Sequence, residues 1–227
     1  MPAHPFALVI FDCDGVLVDS ERLANAVFAE ILNRELGWSL SLQDMFDTFV
    51  GRSAQQCLDI IAQRLGHAPP PDLAARYRTE INNALAESVM PVHGIQAALA
   101  QITLPVCVAS GGSHAKMRIT LGKTGLWPHF AGRIFSTDDV SRPKPAPDVY
   151  LHAAAQMGVA PERCLVIEDS PLGVAAGVAA GMTVFGYAEL NHPDKLRTAG
   201  AQQIFADMHA LPALIDNTTS GQNNETE

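Results

Sequence analysis

The sequence predicts an α/β fold in which a doubly wound parallel sheet carries a small helical domain inserted after its first strand. Two observations support this fold class. Short apolar runs alternate with helical stretches, which is the pattern of parallel strands covered by helices on both faces. One interval between these runs, residues 20–89, is too long for a single crossover and contains only helical patterns. The expected strands are Phe6–Phe11, Val106–Ala109, Ile134–Phe135, Cys164–Ile167 and Met182–Phe185.

The inserted segment, assigned to residues 17–90, begins directly after the first strand. Ligands of such sheets bind beyond the carboxyl ends of the strands, so we expect the insert to act as a lid over that edge. Helix start and stop signals divide it into three helices. These helices run from a cap at Ser20 to Gly37, from a capping box of Ser53 and Gln56 to Gly66, and onward from a cap at Asp72.

An uncharged stretch at residues 170–188 contains glycines at four-residue spacing. Because it consists mostly of Gly and Ala and contains a helix stop at Gly181, we interpret it as a smooth helix packed on the sheet, followed by a strand, and not as a membrane span. The expected domains are an α/β core at 1–16 and 91–215, the helical insert at 17–90, and a polar, disordered tail at 216–227.

The composition limits the classes of partner. The chain has 227 residues, of which 48% are hydrophobic, and a net charge of −9. This charge disfavours nucleic acid, whereas a small anionic substrate remains compatible because a bound metal can reverse the local field. The four cysteines form no C-x-x-C motif, and the chain opens without the basic segment of a signal peptide. We therefore expect a cytoplasmic protein, monomer or weak dimer, without nucleic-acid or membrane partners.

Two pairs of acidic residues follow expected strands. Asp12 and Asp14 come after the first apolar run, and Glu168 and Asp169 come after the fourth. A buried strand end is a costly place for carboxylates unless a cation or hydrogen-bond donors compensate them. If both strands are central, the two pairs converge and offer the hard oxygen ligands that Mg²⁺ prefers.

Two further residues have a polar side chain at the same expected edge. Ser110 ends the second apolar run, where it could serve as a helix cap, although Ser113 could fill that role instead. Lys144 lies between prolines in a loop that could aim its side chain, and Pro147 and Asp148 open the next helix. In chain order the sequence thus presents a carboxylate nucleophile, a hydroxyl, a lysine and an acidic pair.

These four stretches together resemble the motifs of the haloacid dehalogenase-like superfamily. The resemblance covers residues 6 to 190 and rests on "FDCDGVLVDSE", "PVCVASGG", "SRPKPAPDVY" and "VIEDSPLGVAAGVAAGM". Within the superfamily the chain is similar to the sugar-phosphate phosphatases and β-phosphoglucomutases. The resemblance implies a Rossmann-like core with a helical cap, and a Mg²⁺-dependent hydrolase of small phosphorylated metabolites such as sugar or sugar-acid phosphates.

The resemblance also implies a role for each motif residue. Asp12 would attack phosphorus to form an aspartyl-phosphate, and Asp14 would act as general acid and then general base. Mg²⁺ would be held by the Asp12 side chain, the Asp14 carbonyl and Asp169, with Glu168 nearby or acting through water. The phosphoryl oxygens would be bound by Ser110, the Gly111 amide and Lys144.

The second motif departs from the pattern of many relatives. It reads Ser-Gly-Gly at 110–112 where relatives have Ser-Asn-Ser or Ser-Asn-Gly, so a side-chain contact is lost. Arg52 in the insert is a candidate substrate contact away from the phosphorus, because it follows a glycine and precedes a helix start. Its planar donor group suits a sugar-acid carboxylate, although a loop arginine can equally be solvated.

Four alternatives to a phosphatase remain. A mutase relative generally carries a histidine on its first cap helix, but this chain has none between residues 5 and 66, which favours hydrolysis. A dehalogenase is disfavoured because those relatives lack the second aspartate, which is Asp14 here. A phospho-receiver module would be a single compact domain, so the seventy-residue insert argues against it. A non-catalytic phospho-ligand binding protein on the same scaffold is disfavoured because every catalytic position is filled.

Overall fold

The computed structural model describes residues 4–50, 52 and 54–218. It confirms the predicted doubly wound α/β core, which is built on a six-stranded parallel sheet. The strands in chain order are β1 (Leu8–Phe11), β2 (Val106–Ser110), β3 (Ile134–Ser136), β4 (Cys164–Glu168), β5 (Thr183–Tyr187) and β6 (Gln203–Phe205). Their spatial order is β3-β2-β1-β4-β5-β6, so the chain moves outward from β1 in one direction and then returns to build the other half.

The apolar runs explain the central strands. All four residues of β1 and all five of β4 are buried, because helices cover both faces of the sheet. Five expected strands are confirmed, with shifts of one to two residues at their ends. Strand β6 was not predicted: it has three residues at the sheet edge, and only Phe205 among them is fully buried.

The chain divides into two compact units. The helical unit spans Ser20–Val89, close to the expected insert. Its apolar centre includes Ile31, Met45 and Ile61, all fully buried. Its helices are α1 (Ser20–Leu36), α2 (Leu42–Phe49), α3 (Ala54–Leu65) and α4 (Leu73–Ser88).

The boundary signals of the helical unit were only partly correct. Gly37 and Gly66 follow α1 and α3 with positive φ angles of 68° and 77°, as expected for helix stops. Helix α2 was not predicted, although Ser41 and Asp44 form a complete capping box at its start. The proposed cap residue Ser53 lies outside the described residues, as does Gly51. Asp72 precedes α4, but its side chain makes no capping hydrogen bond and accepts one from Arg76 instead, so that prediction was wrong.

Helices of the core unit connect and cover the strands. They are α5 (Ile95–Gln101), α6 (His114–Lys123), α7 (Trp127–Phe130), α8 (Asp148–Met157), α9 (Pro171–Ala179), α10 (Pro193–Thr198) and α11 (Leu211–Asn217), with short 3₁₀ turns at Thr137–Asp139, Pro161–Arg163 and Met208–Ala210. Ser113 caps α6, and Pro147 precedes α8, as expected. Within the described ranges, every helix is too short or too polar to cross a lipid bilayer.

The glycine-rich helix α9 packs directly on the sheet, as its composition predicted. A Cβ atom added at Gly177 would lie 2.7 Å from Cγ2 of Val184 on β5, so only glycine permits this approach. Gly181 follows the helix with a φ of 75° and ends it. Helix α11 continues through Asn217 with Ile215 buried, so the first two residues of the expected tail, 216 and 217, are helical; residues 219–227 lie outside the described part.

Candidate active site

The polar motif residues meet at the carboxyl edge of the three central strands. Strand β1 pairs with β2 on one side and β4 on the other, with Phe11 opposite Val108 and Ile167. The residue that follows β1 is Asp12, and the last residues of β2 and β4 are Ser110 and Glu168. Parallel pairing therefore brings together side chains that are about a hundred and more residues apart in the sequence.

Lys144 joins these strand ends. Its Nζ donates to Oδ1 of Asp12 at 2.7 Å and to Oε1 of Glu168 at 2.8 Å. A third, longer contact of 3.3 Å goes to the carbonyl oxygen of Ala109. The ammonium also lies 4.6 Å from the ring centroid of Tyr150 on α8, in a cation–π contact. The Lys144 side chain is thus directed into the site and is only 11% exposed.

Glu168 is held by protein donors on both oxygens. Oε1 accepts from Lys144 and from the hydroxyl of Tyr150 at 3.0 Å. Oε2 accepts from the backbone N–H of Ser170 at 2.8 Å and from its hydroxyl at 3.0 Å. A Cβ atom added at Gly173 would overlap this carboxylate, which shows how closely α9 approaches it. Four donors fill the usual acceptor capacity of a carboxylate, which favours a role for Glu168 outside direct metal ligation.

The second acidic residue of each pair lies at a tight turn. Gly15 follows Asp14 with a φ of 75°, and its N–H donates to the carbonyl of Val18 at 2.9 Å. A Cβ atom at Gly15 would overlap the carboxylate of Asp169. The turn therefore requires glycine for both its conformation and its space, and it brings Asp169 against the backbone that carries the Asp14 carbonyl.

Ser110 and the loop after it have the geometry of an anion cradle. Ser110 is 1% exposed, and its Oγ accepts from the N–H of Gly112 at 3.0 Å, so it is not a helix cap. A Cβ atom at Gly111 would meet nothing within 4 Å, which leaves open space over this part of the loop. Open backbone amides beside a hydroxyl and a buried ammonium can bind phosphoryl oxygens.

The electrostatics of the site show a shortage of positive charge. Burial raises the pKa of Asp12 from 3.8 to about 7, with Lys144 opposing the rise and Glu168 and Asp14 adding to it. Burial alone would lower the pKa of Lys144, but the carboxylates of Asp12 and Glu168 raise it well above its ordinary value. The lysine therefore stays charged, and Asp12 is the partner whose charge is incompletely compensated. A further cation would favour its ionised form.

The residues present fit a divalent cation. Four carboxylates (Asp12, Asp14, Glu168 and Asp169) stand against two ammonium groups (Lys144 and Lys116), a formal excess of two negative charges. Oδ1 of Asp14 is buried and has no hydrogen-bond partner among the described residues. Within that same part of the chain, no three or more His, Cys, Asp or Glu side chains converge as metal ligands. A site built from two carboxylates and one backbone carbonyl, completed by water or substrate, needs no such cluster of three side chains and agrees with its absence among the described residues.

Sequence reasoning did not identify all the residues that shape this site. Lys116 in the first turn of α6 donates to Oδ2 of Asp14 at 2.7 Å. The Ser136 hydroxyl, at the end of β3, donates to the carbonyl of Gly112 at 2.7 Å. Tyr150 was also missed. Ser136 follows an apolar run just as Ser110 does, so the same strand-end signal could have found it. Lys116 and Tyr150 carry no comparable signal.

Arg52 lies in the helical unit. It is exposed, and its Nε donates to the carbonyl of Thr48 at 2.6 Å. With Tyr77, Asn25 and Glu21 it lines a cavity of about 280 Å³ inside that unit, which is otherwise bordered by apolar side chains. The core motif residues thus come together in one unit, and Arg52 belongs to the other.

The fold and the strand-end motifs define a class of protein. A family model of haloacid dehalogenase-like hydrolases matches residues 6–181, and the chain belongs to this family. It is 34% identical over 185 residues to 6-phosphogluconate phosphatase of Escherichia coli (strain K12), a match that covers 81% of this chain and 83% of that protein. It is 31% identical over 182 residues to fructose-1-phosphate phosphatase YqaB of the same organism, with 78% and 94% covered.

A solved structure supports the same assignment. The HAD family hydrolase from Deinococcus radiodurans R1, crystallised with bound phosphate and sodium, is 33% identical and has a TM-score of 0.83. The match covers 95% of this chain and 98% of that one. Together with the named phosphatases, this likeness identifies the chain as a phosphoric monoester hydrolase.

Proposed function

We propose that this protein is a Mg²⁺-dependent phosphatase that hydrolyses a sugar phosphate or sugar-acid phosphate, such as 6-phosphogluconate, through an aspartyl-phosphate on Asp12. One observation carries the proposal: Asp12 directly follows the central strand β1 and accepts a hydrogen bond from Lys144, in a cluster that has two more carboxylates than ammonium groups. A carboxylate nucleophile in this cluster is surrounded by excess negative charge. A bound dication would compensate that charge and allow the carboxylate to attack a phosphoryl group.

In the first step a carboxylate oxygen of Asp12 forms a bond to phosphorus as the bond from phosphorus to the sugar oxygen breaks. Asp14 donates its proton to the departing oxygen. In the second step Asp14 takes a proton from water, the water oxygen bonds to phosphorus, and the acyl-phosphate bond to Asp12 breaks to release inorganic phosphate. One residue thereby serves as acid and then as base, as the order of the two steps requires.

The remaining side chains position the transferring group. Lys144 and the Ser110–Gly111 segment would bind its equatorial oxygens, and Glu168 would hold Lys144 in place. The carboxylates of Asp12 and Asp169 and the carbonyl of Asp14 would hold Mg²⁺, which supplies charge neutralisation at the phosphoryl group when it is bound. Phosphoryl transfer depends mainly on such positioning and charge compensation.

Phosphate release from a panel of phosphorylated metabolites tests this proposal. We expect Mg²⁺-dependent release that is fastest with sugar phosphates or sugar-acid phosphates and that stops when EDTA is added. A matched panel with Asp12→Asn measures contaminating phosphatases. Wild-type protein that releases no phosphate from any monoester at saturating Mg²⁺ would contradict the proposal.

Arg52 is the residue that we assign to substrate choice. Its guanidinium would pair with a carboxylate or hydroxyl of the substrate distant from phosphorus, in keeping with the relative that is named for 6-phosphogluconate. Loss of such a charge-assisted contact costs about 1.5–3 kcal/mol, or roughly ten- to a hundredfold in kcat/KM. Arg52→Ala should therefore lose that much on 6-phosphogluconate and little on acetyl phosphate, which is too small to reach it.

The control for this experiment is Arg78→Ala, which removes an exposed arginine from α4 of the same helical unit. It should leave both substrates unaffected. Equal losses on both substrates in Arg52→Ala would assign this arginine to folding or closure of the unit. An unchanged rate on every sugar phosphate would mean that Arg52 is a solvated surface residue without a role in substrate binding.

A further inference from the structure

Lys116 makes a contact that the roles given above do not use. Its Nζ donates to Oδ2 of Asp14 at 2.7 Å, across 102 residues of sequence. About a third of the lysine side chain and a quarter of the aspartate side chain are exposed, so the pair lies at the opening of the site. The contact joins an ammonium group to a carboxylate oxygen at short distance and is therefore a charge-assisted hydrogen bond.

The two oxygens of Asp14 have different surroundings. Oδ2 is held by Lys116, whereas Oδ1 is buried and has no hydrogen-bond partner among the described residues. A buried carboxylate oxygen without a donor is costly, and such an oxygen normally marks a place where another group binds. With one oxygen fixed, the torsion angles of the side chain are fixed as well, so the direction of Oδ1 is determined.

We propose that Lys116 is a positioning residue for proton transfer, which holds Asp14 by Oδ2 and thereby directs Oδ1 at the leaving oxygen of the substrate. The inference rests on the proposed function and adds a residue to it. Lys116 itself neither receives nor donates the proton. Its contribution is the orientation of the group that does, and such orientation is a large part of the efficiency of general acid catalysis.

The backbone that carries Lys116 is itself fixed to the core. The Ser136 hydroxyl donates to the Gly112 carbonyl at 2.7 Å, at the start of the loop that leads into α6. His114 Nε2 lies 2.9 Å from both carboxylate oxygens of Asp139. Ser136 at the end of β3 thus holds the loop before α6, and Asp139 in the following 3₁₀ turn holds the first turn of α6. A tether that starts from a fixed helix end can position Asp14, which a lysine on a free loop could not.

Gly112 lies beside the pair. A Cβ atom added there would lie 3.5 Å from Oδ2 of Asp14 and 3.5 Å from Cδ of Lys116, at ordinary van der Waals distance. The loop that follows Ser110 therefore borders the ion pair without crowding it.

The test uses the leaving group as the readout. A sugar alkoxide needs a proton to depart, whereas p-nitrophenolate does not, so only the first depends on Asp14 as an acid. In single-turnover experiments with enzyme in excess and saturating Mg²⁺, Lys116→Met should release sugar from 6-phosphogluconate or another accepted sugar phosphate about 10- to 100-fold more slowly than wild type. Release of p-nitrophenolate from p-nitrophenyl phosphate should change less than about threefold.

Two variants complete the design. Lys116→Arg keeps a cationic donor and should restore part of the rate on the sugar phosphate. Lys123→Met, an exposed lysine in the last turn of the same helix, should match wild type on both substrates. Melting temperatures in EDTA establish that each protein is folded, and if Lys116→Met does not fold, the comparison of Lys116→Arg with wild type on the two leaving groups decides the question.

The outcomes separate this inference from the function on which it rests. Equal slowing on both leaving groups would overturn it and would assign Lys116 to the transferring phosphoryl group. Equal, unchanged rates on both would overturn it as well, since the ion pair would then have no part in catalysis. If wild-type protein released no phosphate from any monoester, the proposed function itself would fail. The wild-type assay therefore precedes the comparison of variants.

Discussion

Glu168 and Asp169 are adjacent in sequence, yet the proposed function assigns them different roles that substitution can separate. In Glu168→Gln a single carbonyl oxygen replaces two carboxylate oxygens. If that oxygen keeps the contacts to Lys144 and Tyr150, the new amide group faces the backbone N–H of Ser170, which loses its acceptor. One unpaired buried N–H costs about 1–3 kcal/mol, and the weakened bond to Lys144 adds about 1 kcal/mol.

The expected loss of about 2–4 kcal/mol in unfolding free energy is measurable without metal. For a chain of this length each kcal/mol corresponds to roughly 2–4 °C in Tm, so Glu168→Gln should melt about 5–15 °C below wild type in EDTA. Glu162→Gln, an exposed position just before β4, is the matched control and should melt with wild type. Asp169→Asn removes one like charge from the acidic cluster and should also keep the wild-type Tm in EDTA.

When activity is titrated with Mg²⁺, Asp169→Asn should be affected more than Glu168→Gln, which is the opposite of their expected effects on Tm. Even the outer partners of metal ligands change metal affinity by about 10- to 100-fold, so loss of the Asp169 carboxylate should raise the Mg²⁺ concentration for half-maximal activity at least tenfold. Glu168→Gln should raise it less. A larger Mg²⁺ requirement in Glu168→Gln, together with a wild-type Tm in EDTA, would refute the reasoning and make Glu168 the direct ligand.

Three further predictions follow from the same contacts. Gly173→Ala should lower both Tm and activity because the added Cβ atom overlaps the Glu168 carboxylate, whereas Gly122→Ala, which meets nothing within 4 Å in α6, should leave activity unchanged and stabilise by up to about 1 kcal/mol. Because the pKa of Asp12 is about 7 in the folded state and 3.8 is its ordinary value, stability from this carboxyl is present below about pH 4 and is lost as the pH rises through 7. Mg²⁺ should therefore raise Tm more at pH 8 than at pH 5; an equal rise at both would contradict the assigned charge shortage. With β-glucose 1-phosphate and glucose 1,6-bisphosphate we expect inorganic phosphate or no reaction, and efficient formation of glucose 6-phosphate, detected with its dehydrogenase, would mean that another residue replaces the missing cap histidine.

The sequence predicted most of the sheet because buried parallel strands leave a strong pattern. The run ending at Phe11 and the run ending at Ile167 are almost entirely apolar, and each is followed by an acidic pair. The location of the site can be predicted from this pattern even when the strand order is unknown, since all carboxyl ends of a parallel sheet meet at one edge. Strand β6 lies at the sheet edge with an exposed glutamine and a single buried residue, so it presents no apolar run comparable with those of the central strands.

The local signals of helix α2 were present but were not used. Ser41 and Asp44 are a capping box three residues apart, followed by apolar Met45 and Phe49. The error at Asp72 has the opposite cause: the residue type suits a cap, but the side chain pairs with Arg76. A capping residue type shows that a cap is possible, and the competing partner is visible only in three dimensions.

Lys116 and Tyr150 could not be predicted from the sequence for a similar reason. A lysine in the first turn of a helix is ordinarily solvated, and its partner here is 102 residues away. Tyr150 occupies an apolar position of α8, and nothing in the sequence shows that its hydroxyl points at Glu168. The residues proposed to react follow strand ends, and this position can be recognised in the sequence. The residues that orient them lie on helices, and which side chain they contact is determined only by the packing of the folded chain.

The central claim is that Asp12 carries the phosphoryl group during turnover, and acid-quenched peptide mass spectrometry tests it most directly. Protein mixed with Mg²⁺ and a sugar phosphate, then quenched in acid within the first turnovers, should show one phosphoryl group on the peptide that contains Asp12. Asp12→Asn under the same conditions should show none and should release no phosphate above background. Phosphate release by purified Asp12→Asn, or a phosphoryl group on a different residue of the wild-type protein, would contradict the account.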